Sequence, residues 1–496
     1  MTSETRPDPR TSTSTSTSTS PSTTTSTVVP GTDRWYLSAA PVWRALVHLC
    51  VPMAAGVSVG AVYNIINAGF VGSLHDTALL AALTFGLPLL GLVMAVGGVF
   101  GVGAGALVSR LLGAAEHDPA QADEIKHVTS FATWGSVVAG AVVGGTGLLL
   151  LHPLVRLLGA DDAAVPATTA YVAVMLAFVP VLALAFCLEQ LVRAEGAARQ
   201  SMIGLIASTI ANLVFDVLFI LVLGWGVAGA ALALGLSNLV AVGYYAWFLS
   251  RRSEHVRLSP RWLTLSPAVL RPVFGVGVGE LLQSGFLVVT ALVLNNLAVT
   301  YGDTPLAAIG VALRIVQLPE LLVMGITLGV LPLLAYTYGK GDAARLARTL
   351  RGAAVTVAVV VLIFSTTVFL LRDRVFGIFS ASPEVIRIGV VVLTAQLVAT
   401  VVNGFTGLFT TLFQATGRAA AAIAMSVAQG VLFVPFVLLG NAWFGLPGLI
   451  WAMTATEGVV FGLGAVLWLA SRRSIRAGLA EGDAERAEQA LVGAGA

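Results

Sequence analysis

From Trp43 onward the chain is a succession of apolar runs, most of them as long as the ~20 residues a helix needs to cross a bilayer, or longer. The runs lie near residues 43–70, 78–112, 124–151, 166–193, 199–223 and 226–250, and again near 268–300, 305–339, 343–371, 384–413, 418–440 and 443–470. A backbone in hydrocarbon must satisfy its own N–H and C=O groups, so such runs become helices. The expected fold is an all-α polytopic membrane protein of twelve transmembrane helices. Composition agrees: 10% of the residues are charged and 57% hydrophobic, against roughly 25% charged in a soluble domain. Prolines at positions 52, 88, 180, 319, 332 and 435 fall inside the runs; each removes a backbone hydrogen bond and predicts a bend or a compensating neighbour.

A net charge of +2 is too small to suggest a nucleic-acid partner. Cys50 and Cys187 sit in apolar runs and read as packing residues, and the six histidines show no metal-ligand spacing. The sequence carries no phosphate-binding loop, nucleophile elbow or zincin signature, so no enzyme, cofactor or metal centre is expected. Residues 1–42 read as a disordered tail, since Thr11 to Thr27 is a Ser/Thr run broken only by Pro21. The tail lacks the apolar core of a signal peptide. Residues 474–496 read as a cytoplasmic tail or short surface helix.

Arginine and lysine set the orientation. Only Arg156, Arg372, Arg374 and Arg387 fall after odd-numbered runs. Arg110, Lys126, Arg193, Arg251, Arg252, Lys340, Arg418, Arg472 and others lie on the opposite side, with Arg34 and Arg44 before the first run. Both termini are therefore expected in the cytoplasm of a multi-pass plasma-membrane protein.

An internal repeat of about 220 residues is also visible. Arg193-Ala-Glu-Gly-Ala-Ala returns as Gln414-Ala-Thr-Gly-Arg-Ala, Gly226-Val-Ala-Gly as Gly445-Leu-Pro-Gly, and Arg251-Arg252 as Arg472-Arg473. Two six-helix lobes, 43–252 and 268–473, joined by a basic cytoplasmic linker at 253–267, would share one orientation and enclose a cleft along the membrane normal.

At the fifth and sixth runs the sequence reads Arg193-Ala-Glu-Gly, Met202-Ile-Gly, Asn212-Leu-Val-Phe-Asp216 and Gly224-Trp-Gly-Val-Ala-Gly-Ala-Ala231. Other stretches agree: Tyr63-Asn-Ile-Ile, Phe70-Val-Gly72, Gly101-Val-Gly-Ala-Gly105, Ser109-Arg-Leu-Leu-Gly113 and Gly329-Val-Leu-Pro-Leu-Leu-Ala-Tyr-Thr-Tyr-Gly339. The chain thereby resembles the multidrug and toxic compound extrusion (MATE) family, notably its bacterial drug-exporter branch, across residues 45 to 470. The resemblance implies a V-shaped bundle that exports small amphipathic, often cationic compounds in exchange for protons or sodium ions. A monomer in the lipid bilayer is expected. It also implies that Asn212 and Asp216 belong to a cation site, of a proton or of sodium. Two positions depart from the pattern: Asn67 stands where the family usually carries Asp, and Ala233-Leu234 where it carries Ala-Thr. Which cation is coupled is left open.

Read from the residues alone, a carboxylate inside hydrocarbon costs at least a few kcal/mol and usually faces a cavity. Ser208, Asn212 and Asp216, at i, i+4 and i+8, form one polar stripe, with Tyr63 and Asn67 as candidate neighbours; the alternative is a structural interhelical hydrogen bond. Glu280, Gln283, Glu320 and Glu457 are candidates for a substrate cavity. Glu320 has Arg314 as an alternative ion-pair partner, and Glu189 with Arg193 reads as a helix-end ion pair. Gly97, Gly101 and Gly105 read as a helix-packing face. The rival functions are a lipid-linked precursor flippase, which the scarcity of intramembrane arginine disfavours, and a non-transporting receptor or scaffold.

Overall fold

The computed structural model describes residues 29–73, 77–157, 165–379 and 382–494, with the side chains of 64–88, 157, 295, 303, 379 and 481–494 outside the description. The Ser/Thr run falls outside it as well. The helices are α1 (Asp33–Ser38), α2 (Val42–Ser73), α3 (Thr77–Ala114), α4 (Pro119–Leu149), α5 (Leu151–Leu157), α6 (Val165–Ala177), α7 (Val179–Ala194), α8 (Ala198–Asp216) and α9 (Gly226–Arg252). They continue as α10 (Pro267–Val299), α11 (Asp303–Gly339), α12 (Ala343–Leu370), α13 (Arg372–Phe379), α14 (Pro383–Ala415), α15 (Ala419–Phe444) and α16 (Leu446–Ala494). No strand occurs among the described residues. Eleven helices are long and apolar enough to span a bilayer, and α6 with α7, bent by 52°, makes a twelfth span.

Each feature follows from local chemistry. The α6–α7 bend sits at Phe178, two residues before Pro180, whose missing N–H breaks the ladder. Asp118 caps α4 through the Ala120 N–H at 3.0 Å, with Pro119 at the first helical position. Asp342 caps α12 through the Arg345 N–H at 2.7 Å. The repeated Gly196 and Gly417 have φ of 85° and 69°. They end α7 and α14 in left-handed turns that a Cβ would strain, which explains why that motif occurs in both halves. Immediately after Asp216 the fifth span winds as a π-helix over Val217–Val222.

Two expectations need correction. The tail is not irregular throughout 1–42: α1 is folded, and Leu37 within it is fully buried. An apolar Trp35-Tyr36-Leu37 cluster gives this segment something to bury, which the Ser/Thr run lacks. At the other end, 474–496 is no separate tail, because α16 runs unbroken through Ala494; its Ala/Glu-rich sequence contains no proline to end the helix. The short helices α5 and α13 lie between the spans, in stretches the apolar runs leave out.

The N-terminal half (α2–α9) and the C-terminal half (α10–α16) meet at their arginine-rich ends. There α2 crosses α11, α10 crosses α3, and α3 crosses α11. The backbones nearly touch. A Cβ on Gly103 would lie 2.0 Å from the Val273 carbonyl oxygen, and one on Gly277 1.8 Å from that of Val99. Gly325 and Gly329 on α11 approach Ala54 and Cys50 of α2 in the same way. Beyond α11, the Glu116 carboxylate takes the Tyr336 hydroxyl and the Lys340 ammonium. Arg345, buried on α12, donates to the carbonyls of Tyr36, Leu37 and Ala40 at 3.0, 3.1 and 2.7 Å, tying α1 to the C-terminal half. Gly97, Gly101 and Gly105 serve packing within the N-terminal half, against Ala183, Cys187 and Gln190 of α7.

Candidate functional site

Two polar constellations survive inside the bundle. The first lies within the N-terminal half, where α8 presents Ser208, Asn212 and Asp216 along one face, all three buried. Ser208 donates to the Ser237 carbonyl of α9 at 2.9 Å. Tyr63 of α2 donates to Asp216 Oδ2 at 2.9 Å and also contacts Asn212 Oδ1. One hydroxyl proton is thus shared between a carboxylate and an amide oxygen, and Asn212 Nδ2 has no partner among the described residues. Asp216 is 2% exposed and has no ion pair among the described residues. The Asn67 side chain falls outside the described residues.

The second constellation is a chamber of about 810 Å³ between the halves, inward of the glycine crossings. Three carboxylates border it. Glu189 pairs with Arg193 at 3.2 Å, so that pair is both the helix-end ion pair expected and part of the wall. Glu280 accepts from Gln414 Nε2 at 3.3 Å. Glu457, 3% exposed on α16, accepts from Gln429 Nε2 at 2.8 Å on one oxygen, while its other oxygen has no partner among the described residues. Gln283 and Ser208 also line the chamber, whereas Asn212, Asp216 and Tyr63 do not. Of the cavity candidates Glu320 is the exception: it is half-buried outside the wall and makes no ion pair with the exposed Arg314 among the described residues.

Sequence reading overlooked the face of α14. Asn403, Thr406, Thr410 and Gln414 all line the chamber. Their spacing of three, four and four residues was a visible helical polar stripe. Gln190, whose Nε2 is buried without a partner among the described residues, lines it too.

Twelve membrane spans arranged around an internal chamber define a polytopic membrane protein of the transporter kind. The MatE family model matches twice, at residues 52–218 and 276–439. The multidrug export protein MepA of Staphylococcus saprophyticus is 33% identical over 423 residues, covering 85% of this chain and 92% of that protein. The protein of the same name from Staphylococcus aureus is 32% identical over the same spans. The chain belongs to the MatE family. In fold it is similar to a solved structure described as the outward-facing conformation of a multidrug resistance MATE family transporter, with a TM-score of 0.80, 24% identity, and coverage of 90% of this chain and 98% of that one. A MATE structure in the bent conformation matches with a TM-score of 0.81 at 23% identity, covering 91% and 99%.

Proposed function

We propose that this protein is a secondary-active multidrug exporter of the plasma membrane, moving small amphipathic cations outward in exchange for protons or sodium ions. The carrying observation is the separation of two carboxylate sites. Glu280 and Glu457 border an 810 Å³ chamber large enough for a drug-sized molecule, and Asp216 is buried apart from it. The chamber's only arginine among the described residues, Arg193, is balanced by Glu189. A cation therefore meets net negative charge there, and a pyrophosphate-bearing lipid precursor would not be held.

Among the described residues Asp216 has no cationic neighbour, so its charge is balanced by a proton or by a bound ion. Oxygens of Asp216, Asn212 and Tyr63 offer hard donors for either. In this reading the lobes are 43–252 and 268–473, with 253–267 as their linker and both termini in the cytoplasm, and the chain acts as a monomer. The glycine crossings close the arginine-rich side. Ion uptake at Asp216 favours one arrangement of the lobes and cargo the other, and linkage makes the exchange reciprocal.

The test is efflux of a fluorescent cationic dye from vesicles, with proton and sodium gradients imposed separately. Asp216→Asn should abolish gradient-driven efflux while leaving membrane insertion intact. Unchanged efflux would remove Asp216 from the coupling, and no efflux by the native chain under either gradient would end the exporter reading.

A further inference from the structure

We propose that the segment from Arg251 to Arg271, joining α9 to α10, is a preformed docking surface for anionic phospholipid headgroups. It holds five arginines, at positions 251, 252, 257, 261 and 271, all exposed. Its one carboxylate, Glu254, pairs with Arg34 at 3.1 Å, and none of the five arginines pairs with a carboxylate among the described residues.

The segment is held in place before any ligand arrives. Thr129 and Ser130 of α4, both fully buried, donate to the carbonyls of Arg257 and Ser259 at 3.2 and 2.8 Å. Trp134 Nε1 donates to the Leu258 carbonyl at 3.0 Å, and a ring nitrogen of His127 meets the Trp262 carbonyl at 2.9 Å. Little ordering entropy is left to lose on binding.

Apolar groups stand among the charges. Trp262, Leu263 and Leu265 are 37, 46 and 69% exposed, and Lys126 lies 4.4 Å over the Trp262 ring. Trp134, which holds Leu258, belongs to the candidate membrane span Pro119–Leu149 and is itself exposed, so the segment packs against a membrane-spanning helix. It overlaps the ends of two spans, one closing at Arg252 and the next opening at Pro267. A soluble polyanion would engage the arginines but leave the indole and leucines in water. An acidic leaflet takes both: phosphates against guanidinium, acyl boundary against Trp and Leu. This inference is independent of the transport reading.

The experiment uses the full chain purified in detergent, its thermal stability followed on adding phosphatidylglycerol, phosphatidylcholine or inorganic phosphate. Phosphatidylglycerol alone should raise the melting temperature, and the double substitution R257Q/R261Q should weaken its apparent affinity on the order of tenfold. An equal rise with phosphatidylcholine, the same rise with inorganic phosphate, or an unchanged double variant would each overturn the proposal. A second readout needs only Trp262→Phe as its reference. In nanodiscs, brominated phosphatidylglycerol should quench the Trp262 signal more than brominated phosphatidylcholine, and the difference should shrink in high salt. A Trp262 signal unaffected by either lipid also overturns it.

Discussion

Replacing Gly103 by alanine inserts one methyl group where no space exists. Its carbon would lie 2.0 Å from the Val273 carbonyl oxygen, 2.8 Å from that carbonyl carbon and 3.0 Å from the Val273 Cα. All three are backbone atoms, so no side chain can turn aside. A carbon–oxygen contact relaxes at about 3.3 Å, and α3 and α10 must therefore part by roughly 1.3 Å at their crossing. Overpacking of this kind costs ~1–3 kcal/mol. Paid only while the arginine-rich ends are closed, it shifts the closed–open equilibrium by ~5- to 150-fold. The native thiols report the result. Cys50 is 4% exposed at the companion crossing of α2 with α11, whereas Cys187 is fully buried between α7 and α3 inside one half. Labelling by N-ethylmaleimide should accelerate at Cys50 by that factor and stay silent at Cys187. Gly285→Ala, on α10 with nothing within 4 Å of the added carbon, should behave as the native chain. An unaltered Cys50 rate in folded Gly103→Ala would refute the idea that these crossings form a movable seal; equal exposure of both thiols would mean unfolding instead.

Other outcomes follow from single residues. Arg345→Met removes three bonds to the end of α1, a loss on the order of 3 kcal/mol; limited proteolysis should then cut between residues 29 and 41 at a rate the native chain does not show. Glu195, half-buried in the turn between α7 and α8, is pushed from the ordinary 4.5 up to about 7, chiefly by burial and partly offset by the Ser253 hydroxyl. The fold thus favours its protonated form, so the melting temperature should decline as pH rises from 4.5 to about 7, and Glu195→Gln should flatten that slope. Glu457→Gln leaves the chamber's shape but removes charge, so a cationic dye should bind at least about tenfold more weakly while a neutral ligand of similar size is unaffected, as read by equilibrium binding.

The membrane fold was legible because length and apolarity leave a chain few alternatives in lipid. All twelve spans were placed, most to within a few residues, and Pro180 foretold the broken fourth one. The polar stripe on α8 could be read from its spacing, and Tyr63 was among its candidate neighbours. What could not be read was depth and facing. Glu320 and Glu457 look alike in sequence, yet one stands outside the chamber and the other in its wall. Distinguishing them requires the rotation of each helix, which is fixed by packing partners a hundred residues away. The α1 segment was hidden for a different reason: six residues bury too little by themselves, and their order depends on Arg345, more than three hundred positions downstream.

Among the described residues Glu189 has its own arginine, whereas Glu280 and Glu457 have only amides. The two walls are therefore not electrically equivalent, and in the proposed export cycle a positively charged guest would come to rest against one of them. Its seat is then in the half opposite the one containing Asp216. On that proposal guest and driving ion would not compete for the same oxygen, and both could be aboard at once. Any exclusion of one by the other must be enforced by the relative posture of the halves, so a change that frees that posture would let the ion slip through unaccompanied.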